Sequence, residues 1–284
     1  RSIHRELYSR KQGVELLKSI ITKNGYNWMP QIEDLPQICS SHAEIISLQK
    51  RWGRIVVKAP WSSSGRGLQI LRPGEYNQTN RQVISGFLNQ QGYVVAETWY
   101  NKLFDLSFQF FSTGKGNVEY RGLSSFVTDK SGRYKGSYIE EIPMEINERL
   151  KEFLAEHVSI IQKLLTHALS GSPYSTEYYG WIGVDSLLYE TEKGQFMFHP
   201  CIEVNCRYTM GAIALALRNH LAEGSTGVFR IYHGKDGQFL KYCEEMKSGE
   251  TVLMNKGKIV RGFLPLTPPS THSLFGAYLN VYDH

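Results

Sequence analysis

Over residues 9–24, Val14, Leu16, Leu17, Ile20 and Ile21 recur at the spacing of one helix face, and Asn24-Gly25 supplies a stop. Pro30 and Pro36 mark a loop, after which Ser41, with Glu44 three positions on, reads as a capping box opening a second helix. Beyond Trp52-Gly53 the period changes. Residues 54–58, rich in β-branched side chains, and residues 68–71 predict a strand pair joined by the Ser- and Gly-rich loop 59–67. A helix over 75–91 turns Val83, Ile84, Phe87 and Leu88 inward despite Gly86. Strands follow at 93–98, 103–112 and 118–127, then a long helix over 144–169 that Gly171-Ser172-Pro173 closes. A hairpin pairs 181–189 with 196–205 around the turn 192–195, and a helix spans 210–221. Residues 228–284 mix short strand-like runs with Gly and Pro and carry no readable motif.

Composition narrows the classes. A chain of 284 residues, 41% hydrophobic and 12% aromatic, can bury a sizeable core as one large domain or two modest ones. The 32 basic and 27 acidic residues leave a net charge of +5 spread along the chain, which suits a phosphate-bearing ligand and does not by itself indicate nucleic acid. Cys39, Cys201, Cys206 and Cys243 match neither a disulfide scaffold nor a zinc ribbon, so a reducing cytoplasm is the expected home. No apolar run reaches the roughly 18 to 20 residues of a membrane span, and no signal-peptide segment follows the charged start. Arg1 stands where an initiating Met would, the pattern of a fragment or processed form lacking an upstream domain.

The sharpest chemical signal is the 181–205 hairpin. Alternation puts Cys201, Glu203 and Asn205 on one side of their strand, and a turn centred on Gly194 brings Asp185 opposite Glu203, beside Trp181 and Gly183. Two carboxylates so close repel and raise each other's pKa unless a cation neutralises them, and a hard divalent ion is the natural remedy. The bland alternative is a solvated sheet face. The second signal is Lys58-Ala-Pro-Trp-Ser-Ser-Ser-Gly-Arg-Gly, in which Ser62, Ser63, Ser64, Gly65 and Gly67 let backbone N–H groups approach phosphate oxygens. It is not a P-loop, and such a loop alone is commonly a flexible connection. The lysine ending the preceding strand shifts the balance. His199 invites a general-base role, but a structural histidine is the commoner case.

In this order, Val56-Val57-Lys58 with the Ser62–Gly67 loop, Val94-Val95-Ala96-Glu97, Gly183-Val184-Asp185 and Ile202-Glu203-Val204-Asn205 resemble the ATP-grasp superfamily of carboxylate ligases. The resemblance covers residues 9–221. It implies an α+β fold of two lobes whose antiparallel sheets clasp the nucleotide: a helical lead-in over 1–50, a small lobe over 51–100 and a large lobe over 101–284. It further implies that Lys58 touches ATP phosphates and acts in catalysis, that the loop closes over them, and that Glu97, Thr98, Trp99 and Tyr100 form the adenine hinge. Asp105 would meet the ribose, and Asp185, Glu203 and Asn205 would hold one or two magnesium ions, with manganese a possible substitute. Arg207 would stabilise the transferring phosphoryl group or hold the acceptor carboxylate. Arg10 or Lys11 stands roughly where many members carry a second lysine, and neither is assigned to the site.

The activity implied is an ATP- and magnesium-dependent, ADP-forming ligase that activates a small-molecule or peptide carboxylate for an amine. Two rivals remain: a nucleotide-binding regulatory module without turnover, and a nucleic-acid binder using Arg51, Trp52 and Arg54, which shows no recognised motif. The expected partners are thus ATP and the two substrates, with no nucleic acid and no membrane. Oligomeric state is not legible.

Overall fold

The computed structural model describes residues 2–62, 67–129, 132–140, 142–143, 146–249 and 251–283, without the side chains of 2–4 and 248. Helix α1 (Ser2–Leu7) leads into α2 (Arg10–Asn24), which Ser9 caps by accepting from the Gln12 N–H and Gly25 ends in the left-handed conformation (φ 52°). Strand β1 (Gln37–Cys39) follows, then α3 (His42–Trp52), β2 (Ile55–Lys58), β3 (Leu68–Leu71), α4 (Gln78–Gln91) and β4 (Val94–Thr98). The Ser41–Glu44 capping box opens α3 as the spacing predicts.

These strands form a four-stranded antiparallel sheet in the order β1-β4-β2-β3. Ile55, Val57, Val94 and Ala96 pack with Ile45 of α3 and Ile84 of α4 into one core. Alternation then turns Val56, Lys58, Val95 and Glu97 to the opposite face. That is how two charged residues come to sit at the centre of an apolar sheet.

The second sheet begins with β5 (Lys102–Thr113), β6 (Val118–Thr128) and β7 (Tyr134–Tyr138). Helices α5 (Glu148–Leu169) and α6 (Pro173–Thr176) precede β8 (Tyr179–Glu190), β9 (Phe196–Cys206) and α7 (Met210–Arg218). The chain closes with β10 (Thr226–His233), α8 (Gln238–Gly249), β11 (Leu253–Asn255), β12 (Lys258–Pro265) and β13 (Phe275–Tyr282). Together they make a nine-stranded antiparallel sheet, β11-β12-β13-β10-β7-β6-β5-β8-β9. Leu106, Phe108 and Phe110 of β5 join Ile182 and Val184 of β8 against Leu17 and Ile20 of α2 and Leu154, Ile161 and Leu165 of α5. Each such side chain contributes about 1.5–3 kcal/mol when fully buried. The other face of β5 carries Asp105, Ser107 and Gln109, and α7 packs over it.

The differences from the sequence reading have local causes. Asn77 caps α4 and Asn147 caps α5, so both helices start later than their apolar periodicity suggests. The expected start at Met144 lies outside the described residues. Strands β1 and β7 and the whole run β10–β13 went unread. The last is the largest difference, since the tail extends the main sheet rather than standing apart from it.

Candidate active site

The 181–205 hairpin sets Asp185 opposite Glu203 and Gly183 opposite Asn205 as expected, although its turn is centred on Lys193, with Glu190 opposite Phe196, rather than on Gly194. Asp185 Oδ2 accepts from Asn205 Nδ2 at 3.0 Å, and Asp185 Oδ1 accepts from the Ser107 hydroxyl at 2.7 Å. Asn205 Oδ1 in turn accepts from Arg207 at 3.3 Å. Burial first, and then the Glu203 charge, push the Asp185 carboxyl up to about 7. The register slips by two residues beyond this point, from Asp185↔Glu203 to Leu187↔His199, with Pro200 in the slip. Face alternation therefore does not carry back from Glu203 to Cys201, whose thiol is buried against the Gly13 carbonyl at 3.9 Å.

The small sheet supplies the opposite wall. Lys58 and Glu97, both buried, form an ion pair across β2 and β4. Arg10, the first residue of α2, links the two halves: one guanidinium nitrogen lies 3.0 Å from Glu203 Oε1, and the other donates to the Ala59 carbonyl at 3.1 Å and to Ser62 Oγ at 3.0 Å. Gly67 closes the loop at φ +68°, where a Cβ would lie 2.8 Å from that of Ser62, so glycine is required there. Ser63, Ser64 and Gly65 lie outside the described residues.

At the hinge, the Trp99 N–H donates to the Arg54 carbonyl at 2.9 Å, and the Arg54 guanidinium lies over the Trp99 ring at 5.2 Å. Thr98 ends β4. The Tyr100 ring packs 4.3 Å from that of Tyr189 and 5.6 Å from that of His199, and burial holds its hydroxyl well above the usual range. His199 is fully buried, neither ring nitrogen has a hydrogen-bond partner among the described residues, and burial with the nearby Lys58 charge pushes it down to about 3. It is a neutral packed ring, as its commoner reading implies. Asp105 is not solvated either: its Oδ2 lies 2.5 Å from Lys102 Nζ and accepts from Thr128 Oγ1 at 3.1 Å, and burial raises its pKa.

Four residues in this arrangement escaped the assignment. Arg10 was one of two options, and the structure separates them, since Lys11 is exposed. The others form a buried relay: Thr209 Oγ1 donates to Gln109 Oε1 at 2.6 Å, Gln109 Nε2 donates to Ser107 Oγ at 2.8 Å, and Ser107 donates to Asp185. Polar alternation at Asp105, Ser107 and Gln109 within an apolar strand was the available signal.

The donor set fits a magnesium ion. Asp185, Glu203 and the Asn205 amide are hard oxygen donors, and a cation would favour the charged form of Asp185 that burial and then the Glu203 charge disfavour. Among the described residues, no group of three or more His, Cys, Asp or Glu side chains gathers in one place, so phosphate oxygens and water would complete the shell.

The wider comparisons agree with this architecture. No family model matches the chain. Among curated proteins, the chain is similar to the butirosin acyl-carrier protein–L-glutamate ligase of Niallia circulans, 23% identical over 206 residues, 70% of this chain and 44% of that protein. The chain thus spans less than half the length of that relative. Among solved structures, Staphylococcus aureus N5-carboxyaminoimidazole synthetase complexed with ADP matches with a TM-score of 0.54 at 13% identity, over 97% of this chain and 67% of the other. The biotin carboxylase domain of Hydrogenobacter thermophilus 2-oxoglutarate carboxylase, in complex with MgADP, matches with 0.54 at 16% identity, over 93% and 60%. An L-amino acid ligase from Bacillus licheniformis matches with 0.50 at 16% identity, over 93% and 65%. The chain has the ATP-grasp fold of these structures. No helix among the described residues is long and apolar enough to cross a membrane.

Proposed function

We propose that the chain is an ATP- and magnesium-dependent ligase that joins a carboxylate to an amine. The observation that carries this reading is the direct pairing of Asp185 with Glu203, with Asn205 beside them and Lys58 on the facing sheet. The fold match to an ADP complex supports nucleotide binding, and the similarity to an acyl-carrier protein–L-glutamate ligase supports ligation of a carboxylate.

In this reading the small sheet and the nine-stranded sheet are the two lobes, and the adenine lies at the hinge of Glu97 to Tyr100. Lys58 and Arg10 bear on the phosphates, and the loop through Ser62 and Gly67 covers them. Magnesium would neutralise charge between phosphate oxygens and the two carboxylates. A substrate carboxylate oxygen attacks the γ-phosphorus, the bond to the ADP oxygen breaks, and an acyl phosphate forms. The amine nitrogen then attacks the acyl carbon, the carbon–oxygen bond to phosphate breaks, and the amine proton passes to solvent. Such transfer depends on positioning and charge neutralisation more than on a side-chain nucleophile, and the site has acids and bases of that kind. Arg207 holds the transferring group or the acceptor.

Thermal unfolding with and without Mg-ATP tests the site. The parent should be stabilised by the nucleotide, Asp185→Ala should lose most of that gain, and ADP release with carboxylate and amine panels should vanish in Glu203→Ala. Equal nucleotide responses from parent and Asp185→Ala would remove the metal site and the reading with it.

A further inference from the structure

A cavity of about 330 Å³ opens beside the proposed site, between α7 and the ends of β6 and β8. Arg121, Trp181, Tyr208, Ala212, Leu215 and Ala216 form most of its lining. Its position follows from the elements already described. Trp181 shares a strand face with Gly183 and Asp185, and Tyr208 directly follows Arg207. On α7, Ala212, Leu215 and Ala216 fall at three- and four-residue spacing, so two small residues leave the opening.

The walls are aromatic. The rings of Trp181 and Tyr208 meet edge to face at 5.4 Å, and Phe111, opposite Trp181 in the register, meets it edge to face at 6.1 Å. The Arg121 guanidinium lies over the Phe111 ring at 5.4 Å. Tyr208 is 53% exposed, too much for a core residue of its size. The lining includes two arginines, both engaged: Arg121 pairs with the Glu119 carboxylate at 2.5 Å. Arg218 donates to the carbonyls of Ile139 and Leu123, so its role there is to hold α7 in place. Edge-to-face walls suit a further ring, and with both arginines already partnered the cavity selects by its aromatic walls rather than by charge.

Two lengths set the kind of molecule. The volume lies near the low end of the roughly 300–1,000 Å³ of small-molecule sites, enough for a ring with its substituents and too small for a protein segment. At about 3.4 Å per residue, Trp181 lies about 14 Å along β8 from Asp185. Thr209 lies over the intervening Gly183, where a Cβ would come 2.7 Å from its methyl. The molecule must therefore pass around the Arg207-Tyr208 turn.

We propose that this cavity seats the ring-bearing far end of an elongated carboxylate, whose reactive carboxylate reaches past Tyr208 to Arg207 and the phosphate site. The proposal deepens the ligase reading and rests on it for the fate of the carboxylate, while the ring pocket stands on its own geometry.

Calorimetric titration with phenylacetate, hexanoate and 6-phenylhexanoate, with and without Mg-ADP, tests it. The parent should bind 6-phenylhexanoate at least tenfold more tightly than either of the others, because only this probe carries both a ring and a reach. Ala216→Leu, a substitution at an exposed helix position that fills the mouth, and Trp181→Ala should each reduce that preference to less than threefold. Both should keep the parent's thermal response to Mg-ATP. Equal binding of the three probes, or a preference that survives both variants, overturns the pocket. Loss of the Mg-ATP response in the parent overturns the ligase reading instead, and the probe titration then still decides the pocket.

Discussion

Asp185 carries the clearest consequence at the scale of single residues. Its folded pKa of about 7 stands above the 3.8 of an unhindered aspartate, so the folded chain holds a proton there that the unfolded chain has released. The resulting stability is complete below about pH 4 and is lost as the pH rises through about 7, each pH step of one between those values removing about 1.4 kcal/mol. Chemical denaturation from pH 4 to 7 should show the parent losing stability relative to Asp185→Asn, which cannot titrate. Parallel profiles would mean that Asp185 is solvated. Magnesium nucleotide should shrink the difference, since a bound cation favours the carboxylate. The hairpin behind this effect was legible from its turn, but the exact pairing depends on a two-residue slip at Pro200 that offsets a turn centred one residue earlier than expected. Arg10 was not legible as a partner of Glu203, because nothing local ties residues so far apart in sequence.

Among the elements, α7 has the most direct hold on the site. Thr209 caps it by accepting from the Ala212 N–H at 3.1 Å, and the same hydroxyl donates to Gln109 at the head of the relay to Asp185. Gly211 must be glycine for α7 to approach this closely, because a Cβ would sit 2.4 Å from both Gln109 Nε2 and Ser124 Oγ. Thr209→Val keeps the shape and removes both hydrogen bonds. It should cost about 1 kcal/mol for the cap and a further 1–3 kcal/mol for the Gln109 oxygen left buried without a donor. Urea denaturation measures the sum, and Thr209→Ser, which keeps the hydroxyl, should recover most of it. Recovery by Ser is the informative comparison, since a packing role for the methyl would instead weaken Ser and spare Val, which keeps that methyl. The helix itself was readable from its apolar spacing. Its hydroxyl relay was not, because the relay joins three segments whose proximity only the sheet register creates.

Across the whole molecule, the open question is whether the tail is a separate body or part of the frame that holds the site. Most elements up to α7 could be read because they carry a long periodic run, a cap or a turn, whereas the short strands β1 and β7 carry none. The tail could not, because short strands such as β11 are fixed by pairing with neighbours already in place. Yet Leu279 and Val281 of β13 and Phe229 of β10 share a core with Ala214, Met210 and Leu217 of α7, the helix that holds Thr209. Strand β10 also pairs with β7, which leads through β6 and β5 to the Asp185 strand. Leu279 is fully buried, so Leu279→Ala should cost about 2–5 kcal/mol. If the sheet is one cooperative unit, hydrogen exchange should show the amides of β8 and β9 losing the same protection as those of β13. Loss confined to residues 226–282 would make the tail an appendage, and the site would then depend on α2, α5 and the small sheet alone. The continuous register and the core shared with α7 argue for equal loss, with the stability of the metal-facing hairpin set partly by strands that carry none of its chemistry.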